Sequence, residues 1–415
     1  MNSCMYSING LRLLMVWVLL PLPSLARTWY VTPKTGIRHT LTLATSGDTL
    51  QIGPGTYREH SLIVNKPLVI LGEKFPVVDA ERKGEIFTVQ ADNVLIRGFD
   101  LRNVGITSTI DWAAVKVLEA RQVRVVGNRI SHCYFGVYLS ASNNCLVRGN
   151  TIAGVPAAEQ TTGNGIHAWK CDQIRIDNNR VSGHRDGIYF EFVTNSSIQQ
   201  NTSFNNIRYG LHFMFSHQNA YIGNTFRDNG AGVAVMYTKG VTMRNNVFVH
   251  NWGSAAYGLL LKDISDSQIE QNTFQKNTIG IHMEGSNRIT VRQNRFIENG
   301  WGVRVQASCV DNLFQQNQFQ GNTFDVATNG NTVLNTFDQN YWDKYEGYDL
   351  NRDGLGDVPY HPVSLYSVIL EQMPHGIMLL RSFMVSLLDR AEKVMPSLTP
   401  DALVDKQPVM KLKSL

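Results

Sequence analysis

Gly187-Ile-Tyr-Phe-Glu-Phe (187–192) and Gly210-Leu-His-Phe-Met-Phe (210–215) share one tetrad: a glycine, an apolar residue, any residue, an apolar residue. The tetrad begins at Gly136, Gly165, Gly187, Gly210, Gly232, Gly258, Gly280 and Gly302, with gaps of 29, 22, 23, 22, 26, 22 and 22 residues. An asparagine keeps the same beat through Asn128, Asn150, Asn178, Asn201, Asn224, Asn246, Asn272, Asn294, Asn317 and Asn340. Such a fixed period marks a stacked-coil protein. A period of about 22 residues suits three short strands and tight bends, whereas a helical repeat needs roughly 33 or more with i, i+3, i+4 spacing. The sequence therefore predicts an all-β fold, a right-handed parallel β-helix over residues 27–345.

Stacked coils place equivalent residues about 4.8 Å apart in parallel register. Positions one and three after each glycine run from Val137/Leu139 to Val303/Val305, all apolar, and must point inward. The repeated asparagines tolerate left-handed bends and, stacked, bridge coils as an amide ladder. Composition agrees: 43% hydrophobic residues, 17% charged and 34 glycines describe a β-rich chain with an ample core. A formal charge of +4, dispersed along the chain, gives no footprint for nucleic acid.

The ends depart from the repeat. Residues 1–26 read as a secretory signal: Arg12 as positive flank, the apolar run Leu13–Leu22, and Ser24-Leu25-Ala26 as cleavage site. The run holds Pro21 and is shorter than the roughly 20 residues of a membrane span. Export makes Cys145–Cys171 a candidate pair, with Cys133 and Cys309 as buried thiols. Residues 346–363 hold Asp349, Asn351, Asp353, Leu355 and Asp357 around Gly354, the spacing of a calcium loop without its closing glutamate. An ion-free turn is the competing reading. Residues 364–415 form a helical tail, in which Met373–Met395 carries Ile377, Leu380, Phe383, Met384, Leu387 and Leu388 at helical spacing. That helix caps the open solenoid end, docks on a membrane partner, or does both.

The outward positions two and four of each tetrad should be solvated polar residues. They are instead His167, Trp169, Tyr189, Glu191, His212, Met214 and Met236 on consecutive coils, with Tyr237 one residue on. An aromatic and thioether stripe on a sheet face reads as a partner surface. Imidazole with thioether also suits soft copper(I). An active site is less well served. Glu191 and Glu284 lie four coils apart, roughly 19 Å, beyond the carboxylate separations of glycosidases.

The opening, Gly53-Pro-Gly-Thr-Tyr57 and Lys66-Pro-Leu-Val-Ile-Leu-Gly72, resembles the first turns of the carbohydrate-binding and sugar-hydrolase β-helices. The central coils quoted above, the Asn340-Tyr-Trp-Asp-Lys-Tyr segment and the tail from Leu379 are similar to the NosD family, periplasmic maturation proteins of nitrous oxide reductase. That resemblance implies a non-enzymatic role in assembling a copper–sulfide cluster. The implied partners are an ABC transporter's membrane subunit and ATPase, a copper-chaperone lipoprotein and the unmetallated reductase. It also implies a periplasmic location, held at the inner membrane by the transporter. Ile377, Leu380, Phe383, Met384, Leu387 and Leu388 would dock on that subunit, and copper(I) would pass transiently over the His/Met stripe. The alternative is a secreted carbohydrate-binding or carbohydrate-modifying β-helix, with Trp169, Tyr189 and Trp301 stacking on sugars.

Overall fold

The computed structural model describes residues 26–412, apart from 108, 254–255, 331–333, 381, 396–398 and 401. All of the expected signal segment except its last residue lies outside the described residues. Three parallel sheets, of 14, 12 and 13 strands, run the length of the molecule, and each coil gives one short strand to each. The tetrads occupy the twelve-stranded sheet, called here the tetrad sheet: Asp186–Glu191 pairs in parallel with Tyr209–Met214, which pairs with Ala231–Met236. The inward column of Ile166, Ile188, Leu211, Val233, Leu259, Ile281 and Val303 is fully buried. The tetrad glycines owe their identity to close packing rather than to backbone angle. A Cβ on Gly187 would lie 2.0 Å from the Ser203 hydroxyl and 2.7 Å from the Gly210 carbonyl oxygen.

Amide ladders tie one coil to the next. The backbone N–H and side-chain Nδ2 of Asn150 both donate to Oδ1 of Asn179, at 2.9 and 3.0 Å, and Asn179 donates likewise to Asn201. The rung is Asn179, not the Asn178 of the sequence reading. Asn178 adopts the left-handed bend (φ 54°), which leaves its neighbour to turn inward. A second ladder through Asn206, Asn229, Asn251, Asn277 and Asn299 to Asn322 follows the same logic. Between the sheets, Phe226, Phe248, Phe274, Phe296, Phe319 and Trp342 stack ring on ring.

At the amino-terminal end, helix Ile37–Leu43 turns Ile37 and Leu41 onto the first coil. The other end departs from expectation. The first ladder closes on Asp405, whose Oδ2 accepts from the N–H of Asn340 (2.9 Å), its Nδ2 (3.0 Å) and Trp342 Nε1 (3.1 Å). Leu403 and Val409 are buried beside it, so this last strand-like segment, not a helix, covers the open ladder. The tail opens with helix Leu365–Gln372, and the predicted single helix over 373–395 is divided into a 3-10 segment Pro374–Leu379 and helix Phe383–Val394. Pro374 cannot continue the first helix, and the Ser382 hydroxyl caps the last one by accepting from Val385 N–H. Both α-helices lie against the final coils of the tetrad sheet. Tyr366, Leu370 and Val385 cover Phe324, with Trp301, Leu380 and Leu388 around them, and Arg304 pairs with Glu371 at 2.6 Å.

All four described cysteines are unpaired. Asn143 stands opposite Asp172, so Cys171 faces Ser142 and Cys145 lies three residues along the coil. The parallel register thus separates the expected pair.

Candidate functional site

Strand pairing places the stripe in two outward columns. The first runs Tyr138, His167, Tyr189, His212, Ala234, Leu260, His282 and Arg304. The second runs Ser140, Trp169, Glu191, Met214, Met236, Lys262 and Glu284. One residue on, Phe192, Phe215 and Tyr237 sit at left-handed corners and stack at 5.2 and 5.0 Å, each partly open to solvent.

The two columns differ in exposure, which corrects the expectation of an open face. Tyr189 is 9% and His212 5% exposed. The position before each glycine also points outward and packs on this column, Phe135 against His167, and Asp186 and Tyr209 against His212. His167 is packed between the rings of Tyr138 (4.7 Å) and Tyr189 (4.8 Å), and its Nδ1 meets the Asn164 amide at 3.0 Å. Burial, aided by the Arg185 charge, lowers the His167 pKa to about 3, so the ring is neutral at physiological pH. Burial likewise pushes Tyr189 up to about 12. Met214 and Met236 are partly buried on adjacent coils, and the Tyr189 hydroxyl approaches Met214 Sδ at 3.7 Å.

His212 belongs to a charged cluster. Asp186 is wholly buried and takes two bonds from Arg208, Nε at 2.9 Å and Nη2 at 2.6 Å. His212 Nδ1 lies 3.5 Å from the same carboxylate. Burial alone would raise the Asp186 pKa; hydrogen bonds from His212 and Arg208 outweigh it and hold the carboxyl below its usual range. Glu159, on the insertion that makes the first tetrad gap longest, reaches Arg208 at 3.5 Å. Sequence reasoning passed over Arg208. Its signal was positional: it directly precedes the outward column that holds Asp186 and Tyr209.

His212 Nε2 is buried with no hydrogen-bond partner; Met214 stands two residues along the same strand and Met236 is paired with it on the next. Imidazole nitrogen and thioether sulfur form a donor set suited to a soft monovalent cation. Among the described residues, no three His, Cys, Asp or Glu side chains converge on a metal position. The Asp349–Asp357 loop satisfies its carboxylates internally. Asp349 accepts from Asp353 and Gly354 N–H, Asp353 from Leu355 N–H, and Asp357 from Leu350 N–H.

The aromatic residues expected to stack on sugars do not form a platform. Tyr189 is buried, Trp169 lies under the Lys170 ammonium at 4.3 Å, and Trp301 stacks on Phe324 beside the tail. The tail residues divide by face. Leu380 and Leu388 pack on the β-helix and leave the docking set, whereas Phe383 (83% exposed), Met384, Leu387 and Ile377 are open. Among the described residues no helix is long and apolar enough to cross a membrane.

Residues 150–348 match the family described as "Periplasmic copper-binding protein (NosD)". The chain is 28% identical over 407 residues to a "Probable ABC transporter binding protein NosD" of Stutzerimonas stutzeri, covering 90% of this chain and 89% of that one. It is 31% identical over 150 residues to the protein so named in Pseudomonas aeruginosa, 35% of each chain. Among solved structures, the A-module of a mannuronan C-5 epimerase from Azotobacter vinelandii superposes with a TM-score of 0.52 at 14% identity. That match covers 75% of this chain and 94% of that one, and shares the fold alone.

Proposed function

We propose, from the match of residues 150–348 to the NosD family, that the chain is a non-enzymatic accessory protein for nitrous oxide reductase maturation. It works in the periplasm, held at the inner membrane by an ABC transporter. There it serves assembly of the copper–sulfide cluster together with the transporter ATPase, a copper-chaperone lipoprotein and the unmetallated reductase. The observation that carries the reading is the divided face of helix 383–394. Val385 and Leu388 seat it on the last coils while Phe383, Met384 and Leu387 face solvent. Large apolar side chains held outward on a braced helix are a helix-in-groove anchor. Copper(I) is the cargo, and His212, Met214 and Met236 are the donors that meet it.

The tail gives the test. Phe383→Glu with Leu387→Glu removes the apolar anchor without touching the packed face. The transporter subunits should then fail to co-purify from detergent-solubilised membranes, while the circular dichroism of the variant is unchanged. Undiminished co-purification would overturn the docking assignment.

A further inference from the structure

The cluster around His212 contains an ambiguity with chemical consequences. Two groups approach Nδ1, and they require opposite tautomers: Asp186 Oδ2 at 3.5 Å can only accept, and Arg208 Nη2 at 3.4 Å can only donate. If Arg208 donates, the ring proton sits on Nε2, which is buried and has no acceptor. Orphaned buried N–H donors are rarer in proteins than under-satisfied acceptors. The proton on Nδ1 leaves only a lone pair unanswered, and that lone pair is what a soft cation takes.

Resting on the copper-handling reading above, we propose that Asp186, locked by Arg208, is a positioning residue that fixes His212 as the Nδ1–H tautomer and presents Nε2 as a ready ligand alongside Met214 and Met236. Carboxylate–imidazole pairs play this part around many metal ions, setting ring orientation and ligand basicity. The fold supplies the rigidity. Asp186 and Tyr209 stand opposite each other on adjacent strands, and Tyr209 N–H also donates to Asp186 Oδ1 at 3.4 Å. His212 is walled by the rings of Tyr189 (5.0 Å) and Tyr209 (4.8 Å), so it cannot swing to find another partner. Neither Asp186 nor Arg208 touches the cargo under this assignment.

The experiment uses the full mature chain in Asp186→Asn, Arg208→Lys and His212→Ala forms. The first readout needs no metal: nitrogen-15 chemical shifts of the His212 ring. Wild type should show a protonated Nδ1 and a bare Nε2, and Asp186→Asn should shift the ring toward the other tautomer. The second readout is copper(I) affinity by competition with bicinchoninate. Asp186→Asn should weaken binding by about 10- to 100-fold, the usual effect of removing such a support. Arg208→Lys, which keeps the charge but loses the two-pronged grip, should fall between the two. An Nε2–H ring in wild type, or unchanged affinity in Asp186→Asn where His212→Ala weakens it, overturns the positioning role and leaves the copper reading standing. Unchanged affinity in His212→Ala overturns both.

Discussion

Replacing Asp405 by alanine should open the carboxyl-terminal end of the solenoid. The Asp405 carboxylate is fully buried and receives three donors on one oxygen: Asn340 N–H, Asn340 Nδ2 and Trp342 Nε1. Stranding a buried donor costs about 1–3 kcal/mol. Three at the low end of that range amount to about 3 kcal/mol, so the loss should be large for a single residue. Asparagine keeps one carbonyl oxygen at the same place but turns its NH2 toward Gln407 N–H, which donates to Oδ1 at 3.2 Å, so Asp405→Asn should cost about 1 kcal/mol, well below alanine. The carboxylate also has a cost of its own, since burial raises its pKa. A carboxyl raised in the folded state contributes stability that is full below the ordinary carboxylate range and lost as pH rises through the folded value. At neutral pH, therefore, asparagine relieves a penalty that the native residue bears. Solenoids unfold by coils as well as globally, so the assay should be local. Hydrogen exchange of the Asn340 amide and the Trp342 indole, alongside urea unfolding followed by tryptophan emission, reports this end. Equal and small effects of alanine and asparagine would refute the ladder-terminus argument.

Other outcomes follow from the same geometry. Gly187→Ala places a methyl where Ser203 and the Gly210 carbonyl already stand, and should destabilise by about 2–4 kcal/mol in chemical denaturation. His184 and His282 are lowered to about 4, chiefly by burial. Their contribution should be intact above the free-imidazole value of 6.5 and decline as pH falls toward 4, visible as a flatter acid limb in His282→Gln. Chelation with EDTA should leave the melting temperature unchanged, because the Asp349–Asp357 carboxylates bind the loop's own amides; a clear drop would mean an ion holds the loop.

The repeat made most of the fold legible. Glycine spacing set the strand register, and the inward column proved wholly buried because period-two alternation leaves the core one choice of face. The misreadings arose where two neighbouring residues could serve. Asn178 and Asn179 both fit the beat, and only the bend decides which turns inward. Cys145 and Cys171 seemed adjacent by count but are offset once the strands pair. In the stripe, the column positions were readable while their exposure was not, because Phe135, Asp186 and Tyr209 come from the residue before the glycine and pack on the first column. The Asp405 rung could not be foreseen, since it comes from 65 residues downstream of Asn340 and outside the repeat.

The stripe itself can be put to the question by changing His212, Met214 and Met236 together to serine and purifying nitrous oxide reductase from cells carrying that variant. Copper and sulfide content of the reductase is the quantity to measure, with complex formation by the variant checked in parallel. The account predicts a reductase deficient in its copper–sulfide cluster while the transporter complex still forms. A fully loaded reductase from those cells would contradict it.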